Sequence, residues 1–189
     1  KAIVKVTADG GEVLQDGKRI FLRGNIVATD VRDGLVMKGN ELEWQPEKDV
    51  IFIRNNMTGT RKQVKASAQK GKYLTRLRRL ELDGKVAAES QEPNFRFNTE
   101  QLVWLVEKDK LIGEKPLQME RFEKTTVTDR ATADKGEMDI KAQVVTLKQN
   151  AQLNIIDPPI QVNGNLVQWN IKDRLIASTQ PVTIVNAKD

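Results

Sequence analysis

Three tryptophans recur in one local context along this 189-residue chain, and that recurrence restricts the fold more than any other feature. Trp44, Trp104 and Trp169 each stand two residues after an apolar one (Leu42, Leu102, Val167). Each is followed within a few residues by a Lys-Asp pair: Lys48-Asp49, Lys108-Asp109 and Lys172-Asp173. Counting back 22 residues from each tryptophan reaches Leu22, Leu82 and Leu147, and counting back 33 reaches Gly11, Gly71 and Gly136. Every landmark up to the tryptophan keeps the same offsets of 60 and 65 residues. Equal spacing at so many points marks an internal repeat, with units over residues 8–58, 68–118 and 133–184 inside one domain spanning 1–189. The polar stretch from Glu120 to Arg130 between the second and third units, where the five extra residues fall, is expected to be a surface loop.

Within a unit the apolar residues alternate with polar ones, as in Leu22, Ile26 and Ala28, then Leu82, Val86 and Ala88. A period of two belongs to a strand with one buried face. A short polar connection follows (Asp33-Gly34, Pro93-Asn94, Pro158-Pro159), and then an apolar return at Met37, Phe97 and Val162. That is the pattern of a hairpin. The alternation slips by one between Met37 and Leu42, and at the equivalent places in the other units, so a bulge or corner is expected there. Four or five strands per unit give 14 to 16 in all, antiparallel because the connections are too short for crossovers. The expected class is all-β. One unit cannot cover its own apolar face, so the units must stack around a shared interior.

The residues assigned to that interior are Leu22, Ile26, Met37, Leu42, Trp44, Leu82, Val86, Phe97, Leu102, Trp104, Leu147, Val162, Val167 and Trp169. Alternation alone is compatible with a closed core and equally with a trough left open along one side. The composition narrows the chemistry further. With no Cys and no His, the chain has no thiol nucleophile, no disulfide, no imidazole base and no zinc site of the usual kind. The carboxylates Glu41, Glu43, Asp129 and Asp134 fall at polar positions that offer nothing to tune them. No catalytic residue, metal or cofactor is assigned. The Lys-Asp pairs read as turn residues, and the basic run Arg76-Leu77-Arg78-Arg79 as a solvated strand face. Few aromatics accompany that run and no glycine-rich phosphate loop exists, so nucleic acid is not an expected partner.

The unit, with Leu22-Arg23-Gly24-Asn25 as strand and turn and Asn40-Glu41-Leu42-Glu43-Trp44 as return, resembles the OstA-type repeat of the lipopolysaccharide-transport proteins LptA and LptC and the N-terminal domain of LptD. Leu147-Lys148-Gln149-Asn150-Ala151-Gln152-Leu153 with Pro158-Pro159-Ile160-Gln161-Val162 is most similar to LptC-type proteins of the cyanobacterial kind. The resemblance implies an open antiparallel β-jelly roll without enzymatic activity, whose hydrophobic groove shelters the acyl chains of lipopolysaccharide or a similar lipid. It implies a periplasmic bead in a bridge that starts at an inner-membrane ABC transporter complex, with an inner-membrane anchor lying outside this sequence. The unpaired strands that stacked units leave at the two ends of the sheet are expected to join neighbouring beads by strand addition. Here those edges are residues 2–7, with Ile3, Val4 and Val6, and residues 181–186, with Val182, Thr183 and Ile184. A closed-core structural or carbohydrate-binding repeat protein is the alternative.

Overall fold

The computed structural model describes residues 3–14 and 16–186. Eighteen strands form among them, every pairing antiparallel, with one short 3-10 turn at Pro46–Lys48. The first repeat supplies β1 (Val4–Thr7), β2 (Gly10–Val13), β3 (Ile20–Asp30), β4 (Leu35–Gln45), β5 (Val50–Arg54) and β6 (Met57–Arg61). The second supplies β7 (Val64–Ala68), β8 (Lys70–Leu74), β9 (Arg79–Gln91), β10 (Asn94–Leu105), β11 (Lys110–Gly113) and β12 (Leu117–Glu123). The third supplies β13 (Thr126–Ala133), β14 (Lys135–Asp139), β15 (Val144–Ile155), β16 (Ile160–Asn170), β17 (Leu175–Ala177) and β18 (Val182–Asn186).

Each repeat is built on one long bent hairpin, β3–β4, β9–β10 or β15–β16, and the three hairpins share one register. Ile20 faces Trp44, Leu80 faces Trp104 and Val145 faces Trp169; Leu22, Leu82 and Leu147 face Leu42, Leu102 and Val167. The glycine landmarks join the same ladder, with Gly11, Gly71 and Gly136 paired to the three leucines. The expected slip in alternation is a bulge. In each hairpin two residues of the first strand (24–25, 84–85, 149–150) lie opposite one residue of the return strand. The Gly-Asn pair read as a turn is therefore the bulge itself. Gly24, Asn25, Gly84, Lys85, Gln149 and Asn150 all have positive φ there, a conformation that bends the strand and re-aims its face.

The bends divide the sheet into two walls. One wall carries β2, the first halves of β3, β9 and β15, the second halves of β4, β10 and β16, and β5, β8, β11, β14 and β17. The other carries the remaining halves with β1, β6, β7, β12, β13 and β18. Backbone crosses between the walls on one side only, at the bulges and at short links such as Asn55-Asn56 and Gln69. On the opposite side each wall ends in its own row of hairpin tips. The walls face each other closely: a Cβ on Gly59 would lie 3.1 Å from Leu80 and 3.7 Å from the Trp104 ring across the interior. Glycine at that place leaves room for the indole. The inward residues form one apolar cluster running through all three repeats, and each large side chain fully buried in it contributes about 1.5–3 kcal/mol.

Three expectations are corrected. Residues 120–130 are not a loop but most of the β12–β13 hairpin, whose turn is only Lys124-Thr125. Polar residues dominate this segment because its outer face is wet and its inner positions carry the Arg121–Asp129 pair; the apolar inner face continues on either side of it, at Met119, Ala131 and Ala133. Arg76-Leu77-Arg78 are not a strand face but the β8–β9 turn, and only Arg79 enters a strand. The strand count exceeds the expected 14 to 16 because the stretches between the expected units also form hairpins, β6–β7 and β12–β13.

Candidate functional site

Met37, Phe97, Trp104, Leu147 and Val167 are fully buried in the shared interior, and Ile26, Leu42, Leu82, Val86, Leu102, Val162 and Trp169 are 5% exposed or less. Leu22 and Trp44 are partly buried and pack against the same cluster. They are less covered because the first repeat lies under β2, whose four residues are all exposed. The candidate lining thus comes together as one apolar interior between the walls, and over the first two repeats it is filled by its own side chains. Trp104 Nε1 lies there without a hydrogen-bond acceptor, at a cost of about 1–3 kcal/mol.

The edges fall at the two ends of the double wall. β1 and β2 pair only with β3, and β17 and β18 only with β16, so the outer side of each is unpaired among the described residues. Val4 is buried and Val6 half-buried, whereas Val182, Thr183 and Ile184 are all exposed. Ile3 precedes the first strand and is exposed; Ala2, also assigned to this edge, lies outside the described residues. Both ends show apolar side chains to solvent: Ile3 and Val13 at one, Leu175, Ile184 and Val185 at the other.

A set of polar residues that sequence reasoning did not assign closes the tip side over the first two repeats. Tyr73 Oη donates to Asp30 Oδ2 at 2.5 Å, and Arg32, which chelates the Asp30 carboxylate, also donates to the Thr75 carbonyl. Arg61 donates through Nη1 to Asp109 Oδ1 at 2.8 Å and to the Val106 carbonyl, and through Nε to the Asp33 carbonyl. Arg78 stands 3.9 Å from Asp33. Tyr73, Thr75, Arg78, Val106 and Asp109 belong to one wall, and Asp30, Arg32, Asp33 and Arg61 to the other. These contacts therefore tie the walls together. Burial alone would raise the Asp30 carboxyl, but hydrogen bonds from Arg32 and Tyr73 outweigh it and hold the group below the ordinary carboxylate range. The Tyr73 phenol is pushed up, first by burial and then by its bond to Asp30. Around neutral pH the pair is carboxylate and phenol, the combination that makes a strong hydrogen bond.

One of these residues carried a visible signal. Asp30 continues the inward series Ile26, Ala28, Asp30, so a carboxylate sits on an apolar face where it needs a partner. Asp109 was read as a turn residue; it is one, with φ +50°, and it is also buried and paired. Asp129, expected to be solvated, is buried and bonded to Arg121 and Thr128. The basic cluster is largely neutralised, with Arg78 near Asp33 and Glu107 and Arg79 on Glu81.

The third repeat is different. A cavity of about 440 Å³ lies between the tips of the two walls there, lined by Val127, Ile155, Ile156, Trp169, Ile171 and Ile176 and, in nearly equal measure, by polar groups that include Arg121, Arg174, Glu123, Asp129 and Asp157. Other hollows, beside Lys65 and Arg96 on the outer face and beside Lys85 and Asp134 at the bends, are lined mainly by polar side chains. Among the described residues no helix is long and apolar enough to cross a membrane.

No protein-family profile matches the chain, and no curated protein matches it in sequence. Among solved structures it is similar to the crystal structure of LptH, the LptA-homologous periplasmic component of the lipopolysaccharide-transport device of Pseudomonas aeruginosa. The match has a TM-score of 0.52 and 18% identity, and covers 57% of this chain and 79% of LptH. At that identity the likeness is one of fold, and the chain has the antiparallel β-jelly-roll fold of an LptA-like protein.

Proposed function

We propose that this chain is a non-enzymatic, periplasmic, LptC-like component of lipopolysaccharide transport that shelters lipid acyl chains between its two walls. The observation that carries this reading is the construction of the interior: apolar through all three repeats, and bounded on one side only by hairpin tips. Backbone joins the walls elsewhere, so parting the tips admits a chain molecule sideways without breaking a strand ladder. The unpaired outer strands at both ends would extend the interior into neighbouring jelly rolls, on a route that begins at an inner-membrane ABC transporter complex.

Photo-crosslinking tests this reading. A photoreactive residue at Met37, Phe97 or Val162 should capture lipopolysaccharide, whereas one at Arg19, Glu81 or Lys148, on the outer side, should not. Equal capture by both sets would defeat a defined interior site. No capture by either would favour a closed-core structural protein, the reading that the complete burial of Met37 and Phe97 supports.

The edge role has its own test. Along β18 alternate N–H groups point toward β16 and away from it, so replacing Thr183 and Ile184 by proline in turn removes one donor of each kind. One of the two variants should fold normally yet lose association with an LptA-like partner in light scattering. If both fold and associate as tightly as the parent, this edge is not the junction.

A further inference from the structure

The three repeats agree closely in backbone, so differences between equivalent side chains are informative. Arg61 in the first repeat corresponds to Arg121 in the second at the offset of 60 residues, and Asp109 corresponds to Arg174 at the offset of 65. Asp109 and Arg174 share the same left-handed backbone, φ +50° and +53°. Arg61 reaches across the walls to Asp109. Arg121, one repeat further on, has an arginine at the position that should receive it, and it turns instead to Asp129 in its own wall at 2.8 Å. The other cross-wall partner changes in the same sense: Asp30 corresponds to Ser90 and then to Ile155, so the carboxylate that receives Tyr73 becomes a hydrocarbon at the third repeat. Among the described residues, no side-chain hydrogen bond joins the tips of the two walls in the third repeat, and the cavity at Trp169 and Ile171 lies in that gap.

We infer that the tip side is latched over the first two repeats and free to part at the third, and that an acyl chain enters and leaves the interior there, between Ile155 and Ile156 of one wall and Ile171 and Ile176 of the other. The assignment of an acyl chain rests on the lipid-sheltering function proposed above; the position of the opening rests on the cross-wall contacts alone. Substituting charges at one position sets where the walls open. An Asp at 109 holds them, and an Arg at 174 leaves Arg121 to its own wall.

The chain has no cysteine, so single thiols report accessibility without background. Val106 and Ile171 are equivalent residues, both buried, and their N–H groups bond to the equivalent carbonyls of Arg78 and Gln143. Val106 lies under the latch and Ile171 at the opening. In Val106→Cys and Ile171→Cys variants of the full chain, labelling by a bulky maleimide should be about tenfold faster or more at residue 171, because local opening sets the rate. Adding Arg61→Ala should speed labelling at 106 toward the rate at 171 and leave 171 unchanged. Equal rates at the two sites, or a rate at 106 indifferent to Arg61→Ala, would overturn the latch. The same Ile171→Cys protein is then labelled in the presence of cis-parinaric acid, a fluorescent fatty acid. Protection at 171 supports entry of an acyl chain at the opening. Fast labelling at 171 without protection would overturn the acyl-chain assignment, and with it the lipid-sheltering function, while the opening itself would stand.

Discussion

Replacing Trp104 by alanine is expected to destabilise the protein by about 3–5 kcal/mol, measured as a shift in urea unfolding at unchanged slope. The ring is fully buried at the middle of the interior, against the opposite wall at Gly59. Its neighbours are held by strand ladders on both sides, so they cannot collapse into the space the ring vacates. Trp44→Ala should cost much less, because that ring is only partly buried beneath the end of the sheet. Trp169→Ala should fall between them, since its ring already borders a cavity and truncation enlarges a void that exists. Trp104→Phe is a separate check: it keeps most of the bulk and removes an N–H that has no acceptor, so its cost should stay below about 1.5 kcal/mol. Equal losses for the three alanine variants would mean that the repeats are energetically equivalent, against the gradient of burial along the interior.

The repeat was legible because it is written in residues whose roles are local to one hairpin. Trp104 pairs with Leu80 and Leu102 with Leu82 through a single turn, so spacing in the sequence fixes their register. The slip between Met37 and Leu42 was legible for the same reason. The wall contacts were not. Arg61 and Asp109 are 48 residues apart and meet only because two walls fold onto each other; alternation tells which way a side chain points, not which tip lies opposite. The β12–β13 hairpin was missed because Glu120, Arg121, Glu123 and Arg130 follow in close succession and charge both faces of it near the tip, and such density of charge reads as a loop unless the strand partner is known. The edges were legible in part. Their uncharged alternation identified Val182 and Ile184, but the burial of Val4 depends on the turn of the first hairpin, with Val31 N–H bonded to the Ile3 carbonyl.

Neutralising Asp109 is the second large effect to expect. Asparagine is the informative replacement, because it tolerates the left-handed backbone at φ +50° and keeps an oxygen near Arg61, so what it removes is mainly the charge. Both side chains of the Arg61–Asp109 pair are only 10% exposed, and a buried cation left without its counter-ion costs about 3–5 kcal/mol. Asp109→Asn should therefore approach a loss of about 3 kcal/mol, insensitive to added salt because the pair is shielded from solvent ions. Glu89→Gln, which breaks the Arg96–Glu89 pair at about half exposure on the outer face, is the control and should cost less than about 1 kcal/mol. The double variant Arg61→Leu with Asp109→Asn leaves no unpaired charge between the tips, and a double-mutant cycle against the single variants should give a coupling of about 2 kcal/mol. That coupling measures how firmly the first two repeats are tied across the open side. A loss for Asp109→Asn no larger than the Glu89→Gln control would mean that the Arg61–Asp109 pair does not hold the walls together, and that the difference between Asp109 and Arg174 has no mechanical consequence.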